Sequence, residues 1–168
     1  MTVHASTRTF EPIPEITDAY VVHIPHQNRR FGAVHEPALT DALNQLGPVS
    51  LAQLDVRTEE IAYPGAVSDV EAYPFATLLI VNVGRIRAVL VRTTRNTVTT
   101  AKLDLVPTRG LLIPARTGFG YQSQVSNRVG VTIFRRRSAS VWSMPASDGL
   151  LADLWDPDMR ERPRNHAI

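Results

Sequence analysis

Five runs decide the fold: FATLLIVNV at residues 75–83, IRAVLVRTT at 86–94, TVTTAKLDL at 97–105, GLLIPA at 110–115 and VGVTIFRR at 129–136. Each run is rich in Val, Ile, Leu or Thr, which favour strands, and the stretches between them carry Gly, Asn, Pro and Ser, which favour turns. No stretch with helical spacing separates the runs. Short strands at this spacing predict an antiparallel sandwich or barrel rather than a parallel β-α-β sheet.

The N-terminal part of the chain adds strands and one helix to this core. AYVVHIP at 19–25 predicts a strand, whereas EPALTDALNQLG at 36–47 predicts a helix ended by a glycine. The apolar residues at helical spacing are Leu39, Ala42, Leu43 and Leu46. SLAQLDV at 50–56 and EEIAYPG at 59–65 predict strands that could form the edge of a sheet.

The chain is expected to form one domain. It has no internal repeat, low-complexity tract or long linker, and its 12 prolines are spread between short apolar runs. We divide residues 1–168 into N-terminal strands and a short helix (1–74), a barrel core (75–145) and a C-terminal segment (146–168). The tail LLADLWDPDMRERPRN predicts one helical turn followed by an extended end.

The composition excludes several classes of protein. The chain has no cysteine, so disulfides, thiolate metal sites, cysteine nucleophiles and redox switching are excluded. No stretch reaches the roughly 20 uninterrupted apolar residues of a membrane span, and the N-terminus lacks a basic start followed by an apolar run. We therefore expect a cytoplasmic protein that does not act at a membrane.

The basic residues give little reason to expect nucleic acid as a partner. The net charge is only +2 and Lys102 is the only lysine, so arginine supplies the other basic side chains, as is typical of a GC-rich genome. The densest basic run is the triplet at 135–137, which has no aromatic ladder beside it. It predicts a solvated strand end rather than a surface that follows phosphates.

Four short motifs occur in order along the chain. QNRRFG carries Arg29 and Phe31, LAQLD carries Gln53, IPARTGFGY spans 113–121 and LWDPDM spans 154–159. In this order they resemble the dTDP-4-dehydrorhamnose 3,5-epimerases, which are dimeric cupins built on a jelly roll. The resemblance implies an all-β fold with a double-stranded β-barrel, a homodimer and a small-molecule substrate in the barrel lumen.

The resemblance also indicates which catalytic groups the chain lacks. Epimerisation beside a ketone needs a base, a group that stabilises the enolate and an acid on the opposite face of the ring. The resemblance implies that a histidine with an aspartate behind it, a lysine and a tyrosine perform these roles in the family. The matching positions hold Val67 for that histidine, Thr77 for the lysine, Arg92 for the aspartate, Phe119 for a second histidine, and Phe134 or Thr132 for the tyrosine. We therefore expect no 3,5-epimerase activity.

Three of these substitutions change the polarity of the pocket in the same way. Val67, Phe119 and Phe134 would make it more apolar than a pocket built for a charged sugar nucleotide. We therefore expect a fairly apolar ligand. The predicted ligand-binding residues are Arg29, Phe31, Val67, Thr77, Phe119 and Phe134.

Three polar residues remain as candidates for catalysis. The resemblance directs Arg92, Tyr121 and Gln53 into the cavity, where they could polarise a carbonyl by hydrogen bonding without acting as a strong base. If Arg92 faces the lumen, its charge needs a partner, either Asp104 or an oxyanion of the substrate, because an unpaired buried guanidinium is costly.

Neither a metal nor an organic cofactor is expected. A metal-binding cupin needs several fixed imidazole and carboxylate ligands, such as H-x-H with a nearby carboxylate. None of the histidines falls in the predicted barrel strands. They are His4, His23, His26, His35 and His166. The chain also has no G-x-S-x-G, P-loop or G-x-G-x-x-G motif.

The leading hypothesis is a diverged cupin that acts as a cofactor-independent isomerase or cyclase on a small metabolite, in natural-product biosynthesis. One alternative is a sugar-nucleotide epimerase whose acid and base come from Asp69, Glu71 or Tyr63. Another is a non-catalytic binding protein whose pocket is filled by side chains. Loss and change of function are both common on a widely used fold.

Overall fold

A computed structural model of the chain describes residues 9–24, 37–48, 50, 52–61, 63–124 and 128–160. The strands are β1 (Phe10–Pro12), β2 (Tyr20–His23), β3 (Leu54–Ile61), β4 (Val70–Ala72), β5 (Thr77–Val83), β6 (Ile86–Thr93), β7 (Val98–Leu105), β8 (Arg109–Ile113), β9 (Gly118–Ser123), β10 (Val129–Arg136) and β11 (Trp142–Met144). The helices are α1 (Pro37–Asn44) and α2 (Pro157–Arg160), with a 3-10 turn at Gly149–Leu151.

The strands form two sheets. The six-stranded sheet has the order β1-β2-β8-β5-β10-β3, and the five-stranded sheet has the order β11-β4-β9-β6-β7. Every strand pair among the described residues is antiparallel. The prediction of an antiparallel, all-β architecture is confirmed. The two segments predicted as edge strands at 50–65 form a single edge strand, β3.

Side-chain alternation along the strands builds the core between the sheets. In β6, Ile86, Ala88 and Leu90 point inward, whereas Val89 and Val91 point outward. The inward side chains of the other sheet that meet them include Leu79, Val81, Leu111, Ile113, Val131 and Ile133. Each fully buried side chain of this size contributes about 1.5–3 kcal/mol relative to exposure, so this inner cluster is the main source of stability.

The predicted helix covers the outer face of the six-stranded sheet. It ends at Asn44, and Gly47 follows with φ of +87°, a conformation that glycine adopts without strain. Ala42 and Leu46 are buried against the sheet. Their partners there include Val22, Leu78 and Leu112.

The C-terminal segment covers the outer face of the five-stranded sheet. Trp155 is 1% exposed and packs with Leu151 against Val89 and Val91. Its indole Nε1 donates a hydrogen bond to the carbonyl oxygen of Ala146 at 3.1 Å. The predicted helical turn of the tail is present as α2, and the extended end predicted beyond it lies outside the described residues.

Among the described residues, the edge strands of the five-stranded sheet are β11 and β7. Lys102 pairs in register with Val89, whose side chain points away from the core, so Lys102 also lies on the outer face, where it is exposed. Among the described residues no helix is both long and apolar enough to cross a bilayer.

Candidate functional site

A cavity of about 60 Å³ opens between the two sheets. One wall comes from β3 and β10 and the other from β4, β9 and the residues next to β4. The lining residues are Arg57, Glu59, Ser68, Asp69, Glu71, Tyr73, Phe119, Tyr121, Ile133 and Arg135. Only two of these, Phe119 and Ile133, have purely hydrocarbon side chains. The other eight lining residues carry polar groups, whereas the sequence predicted a more apolar pocket.

The register of β3 explains why charged residues reach the cavity. Glu59 pairs with Val131 and Arg57 pairs with Ile133, and both partners point inward from β10. Residues that pair across an antiparallel ladder share a face, so the charged side chains of β3 point inward as well. Because β3 is the edge strand, these charges sit at the rim of the core, where water reaches them.

The first acid–base pair is Tyr121 and Glu59, which come from opposite sheets. The Tyr121 hydroxyl donates a hydrogen bond to Glu59 Oε2. Burial raises the pKa of Tyr121 well above its usual range, and the hydrogen bond to Glu59 raises it further. The other carboxylate oxygen of Glu59 lies 3.6 Å from Arg57 Nη1. Tyr121 therefore holds its proton at neutral pH beside a carboxylate.

The second pair is formed by Glu71, which lies on β4, and Tyr73, which follows that strand. The Tyr73 hydroxyl donates to Glu71 Oε2 at 2.5 Å. Burial, followed by the hydrogen bond to Glu71, raises the pKa of Tyr73 to about 12. Glu71 pairs in register with Phe119, so both side chains lie on the inner face of this sheet.

A buried arginine adjoins the second pair. Arg135 is 8% exposed, and its guanidinium carbon lies 4.1 Å from the centre of the Tyr73 ring. Its Nη2 lies 2.9 Å from Asp55 Oδ2, and its Nη1 donates to the carbonyl oxygen of Ser138 at 2.9 Å. The triplet at 135–137 is thus not a solvated strand end, because alternation along β10 turns its first arginine into the core.

Two residues before β4 complete the cavity wall. Ser68 Oγ accepts a hydrogen bond from the backbone N–H of Tyr121 at 2.9 Å and donates one to the carbonyl oxygen of Asp69 at 3.1 Å. Asp69 Oδ1 accepts from the backbone N–H of Ala146 at 2.9 Å. These bonds fix the entry into β4 beside Tyr121.

Some of the sequence-predicted residues meet in the cavity. Tyr121 and Phe119 line it, and Thr77 is buried on the inner face of β5, in register with Arg135. Arg92 is not among the lining residues, since its Nη1 donates to the carbonyl oxygen of Thr17 at 3.0 Å.

Asp104, one of the two partners considered for Arg92, pairs with a different arginine. Its Oδ1 accepts a hydrogen bond from Arg87 Nε at 3.1 Å. The charge of Arg92 is therefore met by a backbone carbonyl and not by that carboxylate.

Three other predicted site residues point away from the cavity. Phe134 lies on the outer face of β10, where it packs with the α1 side of the sheet, because the inward positions of this strand are the odd-numbered ones. Val67 bridges to Gln122 and packs against the outer cluster of the other sheet. Gln53 is exposed, and its side-chain oxygen accepts from the backbone N–H of Ser50 at 3.3 Å. Placing these three in the pocket was wrong.

The remaining predictions fall outside the cavity or outside the described residues. Arg29 and Phe31 lie outside the described residues. Within the described part of the chain, no group of three or more His, Asp or Glu side chains is arranged to hold a metal. His23 Nε2 instead lies 2.9 Å from Glu11 Oε2.

Six lining residues were not predicted from the sequence: Arg57, Glu59, Ser68, Tyr73, Ile133 and Arg135. A usable signal was present in β10, where the β-branched residues Val129, Val131 and Ile133 occupy every second position and the next position on that face is 135. The pair of Tyr121 and Glu59 could not be read from local charge or aromatic content, because its two residues are 62 positions apart in the chain.

Two antiparallel sheets closed around an inner cavity define a cupin-type jelly roll. Among solved structures, the chain is similar to dTDP-4-dehydrorhamnose 3,5-epimerases. For the enzyme from Bacillus anthracis, with TDP and pyrophosphate bound, the TM-score is 0.60 at 18% identity, covering 83% of this chain and 85% of that one. The fold is thus the cupin jelly roll seen in these epimerases, and the prediction of this fold is confirmed.

Two further solved structures agree with this assignment. RmlC from Streptococcus suis, in complex with dTDP-D-xylose, gives a TM-score of 0.60 at 16% identity over 79% of this chain and 71% of that one. NovW from Streptomyces spheroides, a 4-keto-6-deoxy sugar epimerase, gives 0.53 at 15% identity over 77% and 69%. No protein-family model and no curated protein sequence matches the chain. At such identities the similarity establishes the fold.

Proposed function

We propose that this chain is a cofactor-independent isomerase or cyclase that moves a proton on a small, polar carbonyl compound. The observation that supports this most is the pair of Tyr121 and Glu59, in which a buried, protonated phenol meets a half-buried carboxylate that lines the cavity. A base and an acid held in one small site are the groups that proton transfer beside a carbonyl requires.

The chemistry needs only side chains of the cavity. The Glu59 carboxylate would take a proton from the carbon next to the carbonyl, and the electron pair of that C–H bond would move into an enolate. The Tyr121 hydroxyl would donate a hydrogen bond to the enolate oxygen, beside the positive charge of Arg57. Return of the proton from Glu59 to the far carbon of a conjugated enolate gives an isomer. Attack of the enolate carbon on a second carbonyl of the same molecule gives a ring, and the proton held by Glu59 then passes to the new alkoxide.

The size of the cavity supports a small reacting group. Pockets that enclose a drug-sized ligand measure about 300–1,000 Å³, whereas this cavity measures about 60 Å³. The reacting part of the substrate would therefore occupy the cavity, and any larger part would remain outside. This proposal replaces the apolar metabolite that the sequence predicted with a polar one.

Proton exchange in D2O tests the proposal. The protein would be incubated with hydroxyacetone, dihydroxyacetone and acetoacetate, and loss of the C–H signals next to each carbonyl followed by NMR. We expect catalysed exchange of at least one probe, and a fall of roughly 10²-fold or more in Glu59→Gln, the range typical of a lost general base. Tyr121→Phe should also slow exchange.

Matched controls for these variants lie close by in the chain. Glu60 is next to Glu59 but pairs with Arg128 on the exposed side of the strand, and Tyr20 packs outside the cavity. Glu60→Gln and Tyr20→Phe should therefore exchange protons at the wild-type rate. Exchange that is equally fast in Glu59→Gln and wild type would refute the assignment of the base.

A second candidate function is sugar-nucleotide epimerisation with replaced acid and base groups. The observation in its favour is that Asp69 and Glu71, which were considered for these roles, both line the cavity, whereas Tyr63 is 69% exposed and does not. The test is incubation with dTDP-4-keto-6-deoxyglucose in D2O. Loss of the C3 and C5 proton signals, abolished in Glu71→Gln, would favour this candidate over the first.

Other parts of the predicted function remain proposals. These are a homodimer, a cytoplasmic location, a role in natural-product biosynthesis and binding of the substrate in the barrel lumen. A non-catalytic binding protein is the remaining alternative. It predicts that no probe exchanges, although a ligand protects the protein against thermal unfolding.

A further inference from the structure

Arg135 sits in an arrangement that the proposed proton transfer does not by itself require. It lies on the inner face of β10 at 8% exposure and lines the cavity. Placing a charged side chain at such depth is costly unless its charge and its donors are met. Asp55 meets the charge across the strand pair at 2.9 Å, and the Ser138 carbonyl accepts a second hydrogen bond at 2.9 Å.

These two contacts fix the plane of the guanidinium. The guanidinium carbon of Arg135 lies over the Tyr73 ring, 4.1 Å from the ring centre. A planar guanidinium can stack on an aromatic ring in a way that a lysine ammonium cannot. The Tyr73 ring also contacts Phe119, at 6.2 Å between ring centres.

Tyr73 in turn reaches Glu71 from this fixed ring position, with 2.5 Å between its hydroxyl oxygen and Glu71 Oε2. Glu71 belongs to the other sheet from Asp55 and Arg135, so the contacts run across the cavity from one wall to the other. We propose that Arg135, anchored by Asp55, is a positioning residue that holds the Tyr73 ring so that the Tyr73 hydroxyl meets Glu71 inside the cavity. The Tyr73–Glu71 pair lines the same cavity as Tyr121 and Glu59, so an effect of its position on catalysis rests on the proposed function, whereas the positioning itself does not.

Ring-flip NMR of Tyr73 tests the positioning without any substrate. Protein labelled with 13C-tyrosine would be compared between wild type, Arg135→Gln and Asp55→Asn, with Tyr73→Phe used to assign the signal. We expect the flip rate of the Tyr73 ring to rise roughly tenfold in Arg135→Gln, because the stacked cation is lost, and to rise less in Asp55→Asn. Arg135→Lys keeps the charge but not the flat face, so it should lie between wild type and Arg135→Gln.

The matched control is Arg137→Gln, which removes the same charge from an exposed position two residues along the strand end. It should leave the Tyr73 signals as in wild type. If Arg135→Gln does not fold, Asp55→Asn and Arg135→Lys decide the question. A flip rate and a Tyr73 chemical shift that match wild type in the folded variants would overturn the positioning role.

The D2O exchange assay separates this inference from the proposed function. With a probe that the wild type exchanges, Arg135→Gln should lower kcat by about tenfold and leave KM within about twofold, as expected when geometry rather than binding is lost. Arg135→Lys should recover part of kcat. Faster ring flips with no exchange by the wild type would support the positioning role and count against the proposed function. Unchanged ring flips in Arg135→Gln, with normal exchange by the wild type, would support the proposed function and count against the positioning role.

Discussion

The phenols of Tyr73 and Tyr121 make stability sensitive to alkaline pH. Their pKa values in the folded protein lie above the value of 10.0 for a free tyrosine, mainly because both are buried and then because each donates to a glutamate. Above pH 10 the unfolded chain releases these protons while the folded chain keeps them. The free energy of unfolding should therefore fall as pH rises from 10 to about 12, by at most about 1.4 kcal/mol per pH unit for each phenol.

Urea unfolding between pH 8 and pH 11.5 measures this dependence. The double variant Tyr73→Phe/Tyr121→Phe should lose less stability above pH 10 than wild type does, whereas Tyr20→Phe should follow wild type. Parallel curves for the double variant and wild type would show that these two phenols do not control the alkaline loss.

Gly118 is a single position where any side chain should be harmful. A Cβ placed there would lie 2.8 Å from both Trp142 Cζ2 and Val70 Cγ1, closer than real Cβ atoms come. Overpacking of this kind costs about 1–3 kcal/mol, so Gly118→Ala should lower the urea midpoint. Gly149→Ala is the control, because nothing lies within 4 Å of its Cβ position. Equal midpoints for the two variants would contradict the contact.

The C-terminal segment is held to β9 by a buried glutamine. Gln122 Oε1 accepts from the backbone N–H of Asp156 at 2.8 Å and from Gln124 Nε2 at 3.1 Å, and Gln122 Nε2 donates to the Asp156 carbonyl at 3.2 Å. Gln122→Ala would leave these buried groups without that partner, at a cost of about 1–3 kcal/mol. We expect a lower urea midpoint, and also a red-shifted tryptophan emission because Trp155 becomes exposed to solvent.

The exposed Gln45→Ala is the matched control for this change, because Gln45 lies on the surface after α1. Its unfolding and emission should match wild type. If Gln122→Ala keeps the wild-type emission maximum, the glutamine does not hold the segment.

The positions of the strands and the helix could be predicted from the sequence more readily than the face on which each side chain lies. The runs in β5, β6, β7 and β10 each carry enough strand-forming residues to identify the element without knowledge of the rest. A shift of one residue along a strand, however, exchanges its two faces. That shift explains why Phe134 was assigned to the pocket, whereas Ile133 and Arg135 are the residues found there.

The polar lining was hidden from the sequence for a related reason. Glu59 and Tyr121 are far apart in the chain and become partners only because β3 and β9 lie in facing sheets. Such a pairing depends on how the sheets close, which no local pattern specifies. The resemblance indicates only the positions at which the family carries its catalytic groups. This chain carries its titratable groups at other positions.

Assembly is the property of the whole molecule that can be measured most directly. The resemblance to dimeric cupins predicts a homodimer, so light scattering during gel filtration should give twice the 18.6 kDa mass of the chain. Dilution from micromolar to nanomolar concentration then measures how stable the assembly is. A mass of one chain at all concentrations would contradict the dimer.

The lone amine-bearing side chain of Lys102 has a practical consequence. It stands exposed on the outer face of the edge strand β7, whereas the cavity lies between the sheets on the side of β3 and β4. Amine-reactive reagents will therefore modify this side chain, with no other lysine in the sequence to compete. A dye or a sensor surface coupled there would leave the cavity facing the solution, so ligand libraries can be screened on the tethered protein.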